Sequence, residues 1–275
     1  MSDVAAQVAP GARMERLVFN LASGALGDAA VRRAVAFSLD RDGLVRALVA
    51  PLLGDARRLD NRAYGVGQAP YEAHGEEFGA RDVARAHAEL AAAGFVRGAD
   101  GIYERGGARL EFRISTTSGD ARREQALQLI QAQLAEAGIG VRIDNADEAV
   151  MAGRLEAGDF DLALVGRRAG PFPAAALAAL YGTDGALNVG GFRDEQADEL
   201  ATMAEAEPDA TARAALVNEL DRRLWEVLPD VPLYQPPSVV AHHRDVSGPA
   251  PNPTTQGPLW NVETWRIAAG AVVSS

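Results

Sequence analysis

The chain has no cysteine, and therefore no disulfide, no thiolate metal ligand and no cysteine nucleophile. Lysine is also absent, so all 27 basic residues are arginine. That excludes a Schiff-base lysine and a P-loop lysine. No apolar run approaches the length needed to cross a bilayer. Aromatic residues make up 6% and histidine occurs four times, with no HExxH arrangement and no carboxylate cluster, so no metal and no cofactor is expected. No repeat recurs at any period of solenoid length. Residues 1–12 (MSDVAAQVAPGA) have neither a basic start nor an apolar centre, so an exported protein would carry its signal outside this chain.

What is present is the balance of a globular protein: 275 residues, 48% hydrophobic and 24% charged, enough for one large domain or two smaller ones. The net charge is 27 − 38 = −11, which argues against a nucleic-acid partner or an anionic membrane surface.

The chain is organised around Gly158–Gly166 (GDFDLALVG), a short apolar run of strand length with helical sequence on both sides. Apolar on both faces, it belongs in the middle of an α/β sheet, where ligands sit beyond the carboxyl ends of the strands. Residues 1–13 read as a flexible leader, 14–245 as a single α/β lobe and 246–275 as a Pro/Asn-rich tail carrying Trp260 and Trp265. Within the lobe, Arg16–Leu21 is a strand. Asp28 and Asp40 start two helices, the second stopped by Pro51, and residues 53–79 form a long ordered loop. A helix through Val83 and Leu90 closes at Gly94, and Ile102–Glu104 with Leu110–Ile114 makes a hairpin around Gly106-Gly107. Asp120–Ala137 has the clearest amphipathic stripe. Val141–Ile143, a helix from Asp147 to Glu156, and Phe160–Val165 compose a βαβ unit with parallel pairing. Helices follow near 174–181, 195–206 and 210–228, then strands at 231–234 and 239–241.

Five segments in this order carry a family resemblance: Val31–Asp42 (VRRAVAFSLDRD), Ala91–Ile102 (AAAGFVRGADGI), Ala132–Ile139 (AQLAEAGI), Gly158–Leu162 (GDFDL) and Val231–Gln235 (VPLYQ). Together, over residues 16–266, they resemble the family 5 extracellular solute-binding proteins of ABC transporters, the oligopeptide- and dipeptide-binding group. The resemblance is to the carboxy-terminal half of those two-lobed proteins. It implies a periplasmic-binding-protein-like (type II) α/β lobe, with a mixed, mainly parallel sheet flanked by helices. It also implies a non-catalytic role on a peptide or other small solute, an extracytoplasmic location, and a missing amino-terminal lobe and ABC permease as partners. Any membrane attachment would be through a lipid anchor absent from this chain. In peptide-binding members the loop after the central strand reads roughly Gly-Trp-x-x-Asp-Tyr, and its acidic residue meets the ligand's amino group. Here Arg167 stands at the tryptophan position and Gly170 at the acidic one, which favours an acidic or phosphorylated guest over a free amine. The same departure is similar to actinobacterial envelope lipoproteins of this fold, which implies a regulatory or structural alternative to transport.

The candidate ligand residues are Arg167, Arg168, Gly170, Phe172, Asn188 and Tyr234. Against them, Arg167 and Arg168 also read as two solvated arginines on a turn. Phe172, Tyr181, Tyr234, Trp260 and Trp265 also read as core or docking surface. Asp159 and Asp161 resemble a carboxylate pair for acid–base chemistry, or a hydrolase site, but stand where a turn and a strand start are expected. His242 and His243 are adjacent, so on a strand they face opposite ways; His74 and His87 are isolated. Gly65-Val66-Gly67 starts no helix and is no nucleotide fingerprint. A lone lobe would leave apolar surface for self-association, or for its tail to cover.

Overall fold

A computed structural model describes residues 3–252 and 257–268. The part of the tail at 253–256 and 269–275 lies outside the described residues.

The expected leader is not a loose end. Val4–Pro10 forms β1, which pairs antiparallel with β10 far along the chain. Val4 and Val8 suit a strand, and the backbone groups of β1 find partners across that ribbon. Arg13–Phe19 is β2. Asp28 then caps α1 (Ala29–Ser38) and Asp40 caps α2 (Arg41–Leu48), each carboxylate accepting a first-turn amide hydrogen bond. After the loop, Asp82 caps α3 (Val83–Ala92), and Gly94 takes the left-handed conformation that ends it.

Three short strands follow, β3 (Val96–Arg97), β4 (Tyr103–Arg105) and β5 (Ala108–Arg109), forming a small antiparallel sheet. The hairpin around Gly106-Gly107 is therefore real but stops at Arg109. At Leu110 the chain crosses to the main sheet, because Phe112 and Ile114 of β6 (Glu111–Ser115) are buried there. Next come α4 (Ala121–Glu136), β7 (Gly140–Ile143), α5 (Glu148–Ala157) and β8 (Leu162–Arg168). The helices α6 (Pro173–Tyr181), α7 (Glu195–Ala206) and α8 (Ala210–Val227) precede β9 (Asp230–Tyr234) and β10 (Pro237–His243). In the tail, β11 (Val246–Ser247) pairs with β12 (Arg266–Ile267).

The main sheet has the order β7-β6-β8-β2-β9, so the run at 162–168 is its middle strand. β6 pairs parallel with both β7 and β8, while β2 pairs antiparallel with both β8 and β9. The sheet is mixed as expected, but parallel pairing is confined to one half. The unit β7–α5–β8 does not close on an adjacent pair: β6 lies between its strands, and the adjacent parallel crossover is β6–α4–β7.

The two faces bury different helices. Leu17, Phe19, Leu162 and Leu164 point into the largest core with α1, α3 and α4. Val18, Ala163 and Phe160 face the other side, and α6, α7 and α8 pack a second core around Leu177, Leu200, Leu220 and Leu224. Among the described residues, no helix is long and apolar enough to cross a membrane.

Candidate functional site

The carboxyl ends of β6 and β8 meet the start of β2 and the end of β9 at one edge of the sheet, the side on which α/β ligands sit. Two open clefts border the 53–79 loop there. One, of about 330 Å³, is lined by Pro10, Leu53, Arg57, Val66 and Gln235; the other, of about 400 Å³, by Arg57, Arg58, Tyr71 and Glu76. Gln235 ties this edge together, its Oε1 accepting from the Val66 amide at 2.7 Å and its Nε2 donating to the Gly11 carbonyl at 3.0 Å.

Arg167 and Arg168 do not act as a pair. Both belong to β8, so they alternate to opposite faces of the sheet. Arg167 is partly buried; it donates to the Arg62 carbonyl and reaches the Met14 sulfur at 3.5 Å. Burial pushes its guanidinium pKa down, and the neighbouring Arg16 adds to this. Arg168 is exposed on the opposite face, across from Arg13. Gly170 is exposed with nothing close to its missing side chain, and Phe172, 74% exposed, stands at the start of α6. Those three are the sequence candidates that the structure gathers at the open edge.

The other two are elsewhere in role or place. The Asn188 amide braces its own loop through Gly182 O at 2.9 Å and both backbone groups of Phe192. That loop hooks past the far end of β2, where Gly190 O accepts from the Leu21 amide. Tyr234 is fully buried in the core under α4 because a bulge in the β2–β9 pairing turns it to that face, and its hydroxyl has no partner. Burial, with the Glu15 carboxylate, pushes that hydroxyl's pKa up.

Asp159 and Asp161 lie at the opposite, amino end of β8. Asp159 pairs with Arg113 at 2.6 Å, and Asp161 accepts from Ser23 and from the Arg113 amide. They tie the start of β8 to β6 and to the end of β2. His74 is held by Asp221 at 2.8 Å and Glu72 at 3.2 Å. His87 packs against Tyr103. Among the described residues no group of three or more His, Asp or Glu is placed to hold a metal.

Sequence reasoning missed the charged residues that hold the edge. Arg41, an ordinary helix-start residue by pattern, is fully buried. It donates to the carbonyls of Leu59, Gly75, Phe78 and Pro232 and to Asp60 at 2.6 Å, which is what orders the 53–79 loop. Asp230 accepts from Arg62 Nε at 2.7 Å, Arg16 Nη1 at 2.9 Å and the Tyr181 hydroxyl at 2.6 Å. Burial raises the Asp230 pKa, but the Arg62 and Arg16 guanidiniums outweigh it and hold the carboxyl below its ordinary range. Glu15, buried, takes both bonds of Arg123 from α4 at 3.0 and 3.2 Å. Arg13 and Glu15 extend the face of Leu17 and Phe19 at period two, three residues ahead of the strand expected at Arg16–Leu21.

Residues 2–188 match the profile of the bacterial extracellular solute-binding proteins, family 5 Middle, and the chain belongs to that family. It is 29% identical over 235 residues to the oligopeptide-binding protein OppA of Mycobacterium tuberculosis, covering 85% of this chain and 39% of that protein. An uncharacterized lipoprotein of the same organism is 27% identical over 267 residues, covering 94% of this chain and 44% of that one. Among solved structures, the periplasmic EDTA-binding protein EppA superposes with a TM-score of 0.89 at 24% identity, over 97% of this chain and 50% of that one. AppA of Bacillus subtilis, in complex with a nonapeptide, gives 0.82 at 21%, over 97% and 53%. The chain thus spans from about two fifths to half the length of these relatives.

Proposed function

We propose that this chain is the carboxy-terminal lobe of an extracytoplasmic solute-binding protein that delivers a small solute to an ABC importer, binding it without chemistry. The observation that carries this reading is the open sheet edge. The central strand of a family 5 fold ends there in exposed Arg168, Gly170 and Phe172. In this reading the ligand is held between this edge and a second, amino-terminal lobe, and hinge closure traps it. Relatives are named for oligopeptides and EDTA, and others are in complex with Fe(III)-EDTA or Ni(L-His), so the solute class is open across peptides, polycarboxylates and metal chelates. Calorimetry on the full gene product, with a panel of short peptides and small carboxylates, tests it: saturable binding to one class is expected, and silence across the panel refutes it. The chain by itself offers half a cleft, so it binds short peptides weakly or not at all; a tight, saturable peptide affinity measured on this chain alone overturns the half-cleft.

A second reading, a cell-envelope lipoprotein domain that keeps the fold without transport, is favoured by two observations. The loop carries Gly170 where peptide binders have an acidic residue, and lipoprotein relatives match nearly the whole chain. A gene placed beside permease genes, with loss of solute uptake on its deletion, would exclude it.

A further inference from the structure

The open edge has a charge arrangement that the rest of this acidic chain does not explain. Arg13 and Arg168 are register partners across β2 and β8, so two guanidiniums leave the same face of the sheet from directly opposed positions. Like charges so placed repel, and proteins ordinarily avoid the pairing or put a carboxylate between. The nearest carboxylate is Glu15, 3.8 Å from Arg13 Nε, and it is already taken by both donors of Arg123. Among the described residues no carboxylate pairs with Arg168. Among the described residues Arg13, Arg123 and Arg168 have two carboxylates between them, Glu15 and, 3.8 Å from Arg123 Nε, Asp120, in a chain whose net charge is −11.

The edge is also held in place. A Cβ at Gly166 would fall 2.7 Å from Glu15 Oε1 and 2.9 Å from Arg13 Cδ, and closer still to an Arg123 nitrogen. The absent side chain lets Glu15, Arg123 and the stem of Arg13 lie flat across β8. Glu15 and Arg123 are both buried, while the Arg13 side chain beside them is 47% exposed. Gly170 just beyond leaves open space above.

We propose that Arg13 and Arg168 form an anion-binding site at the solute-facing edge, taking a carboxylate or phosphate group of the solute. Two planar guanidiniums present paired N–H donors that match either anion. A bound anion removes the cost of setting like charges opposite each other. The inference rests on the solute-binding reading above and names the class of solute; Arg167, turned to the other face, takes no part.

The test uses this chain, labelled for NMR of the arginine Nε–Hε resonances, at low ionic strength. Citrate, inorganic phosphate and trialanine amide are the three probes, and Arg13→Gln, Arg168→Gln and Arg193→Gln the variants. Arg193 is exposed and remote, and it controls for a bare change of charge. Citrate or phosphate is expected to shift the Arg13 and Arg168 signals saturably, with affinity falling at least about tenfold in either site variant and holding in Arg193→Gln. Which anion binds more tightly identifies the group. The proposal is overturned if neither anion shifts these signals, if both site variants bind as the parent does, or if Arg193→Gln weakens binding equally. Thermal unfolding confirms that each variant is folded, and relief of repulsion predicts that Arg168→Gln melts no lower than the parent. A full gene product that binds trialanine amide, which has no carboxylate, and ignores both anions refutes this site and leaves the solute-binding reading standing.

Discussion

Asp230→Asn is the substitution whose cost follows most directly from the structure. Asp230 starts β9, and its carboxylate draws together Arg16 of β2, Arg62 of the long loop and Tyr181 of α6, so it stitches the sheet to the second core. All three donors are well buried, and Arg62 packs over the Trp225 ring at 4.5 Å. Asparagine has nearly the same shape but no charge, and its NH2 group would face at least one of these donors. Breaking a buried pair by neutralising one partner costs about 3–5 kcal/mol, because the other charge stays buried and uncompensated. Arg62 keeps Asp221 at 3.3 Å, which argues for the lower part of that range. For a chain of this size about 3 kcal/mol corresponds to a melting temperature lower by roughly 6–12 °C. Urea unfolding followed by circular dichroism and tryptophan fluorescence measures it. Tyr181→Phe removes one hydrogen bond to the same charge and is expected to cost about 1.5–3 kcal/mol, less than additively with Asp230→Asn. The depressed Asp230 carboxyl contributes stability at every pH above the ordinary carboxylate range and loses it as pH falls through its lowered value. Asp230→Asn should therefore be less steeply acid-sensitive than the parent. A loss below about 1 kcal/mol, or an unchanged acid profile, refutes the idea that this network is held by its charge.

Four further expectations follow from the same geometry. Arg41→Met strips four donated bonds from the 53–79 loop and a fifth from Pro232 of β9, and should cost at least about 3 kcal/mol, with new protease cleavage inside the loop; an intact loop under limited proteolysis contradicts this. Gly166→Ala drives a methyl into the Glu15–Arg123 pair and should destabilise by about 1–3 kcal/mol, whereas Gly170→Ala meets nothing and should be neutral in the same melt. For His74, burial pushes the pKa down but Asp221 and Glu72 outweigh it despite Arg222, so its pKa is raised. That contribution is full below the ordinary histidine value and disappears as pH rises through the raised one, and His74→Gln should flatten the stability profile over that window. The outer face of the β1–β10 ribbon exposes the opposed Val8 and Val239, and the tail exposes Leu259, Trp260 and Ile267, so concentration-dependent association is expected. Light scattering that reports a monomer at every concentration removes it.

The sequence by itself determined the local elements and the family. Asp28, Asp40, Asp82, Asp120 and Asp147 all cap the helices their positions announced, because an N-cap needs only a side chain two or three residues from the amide whose hydrogen bond it accepts. The apolar run at 162–165 was legible as a middle strand for the same local reason: both of its faces had to be buried. Only the tertiary structure decided which strands are neighbours, since β6 slots between β7 and β8 and β1 finds its partner more than two hundred residues away. The same holds for the edge. Adjacent in sequence, Arg167 and Arg168 looked like one basic pair; strand geometry sends one into the protein and sets the other opposite Arg13. Arg41, Arg16, Arg62 and Asp230 carry no local signal at all, because a buried charge is defined by its partners, and those partners come from distant parts of the chain.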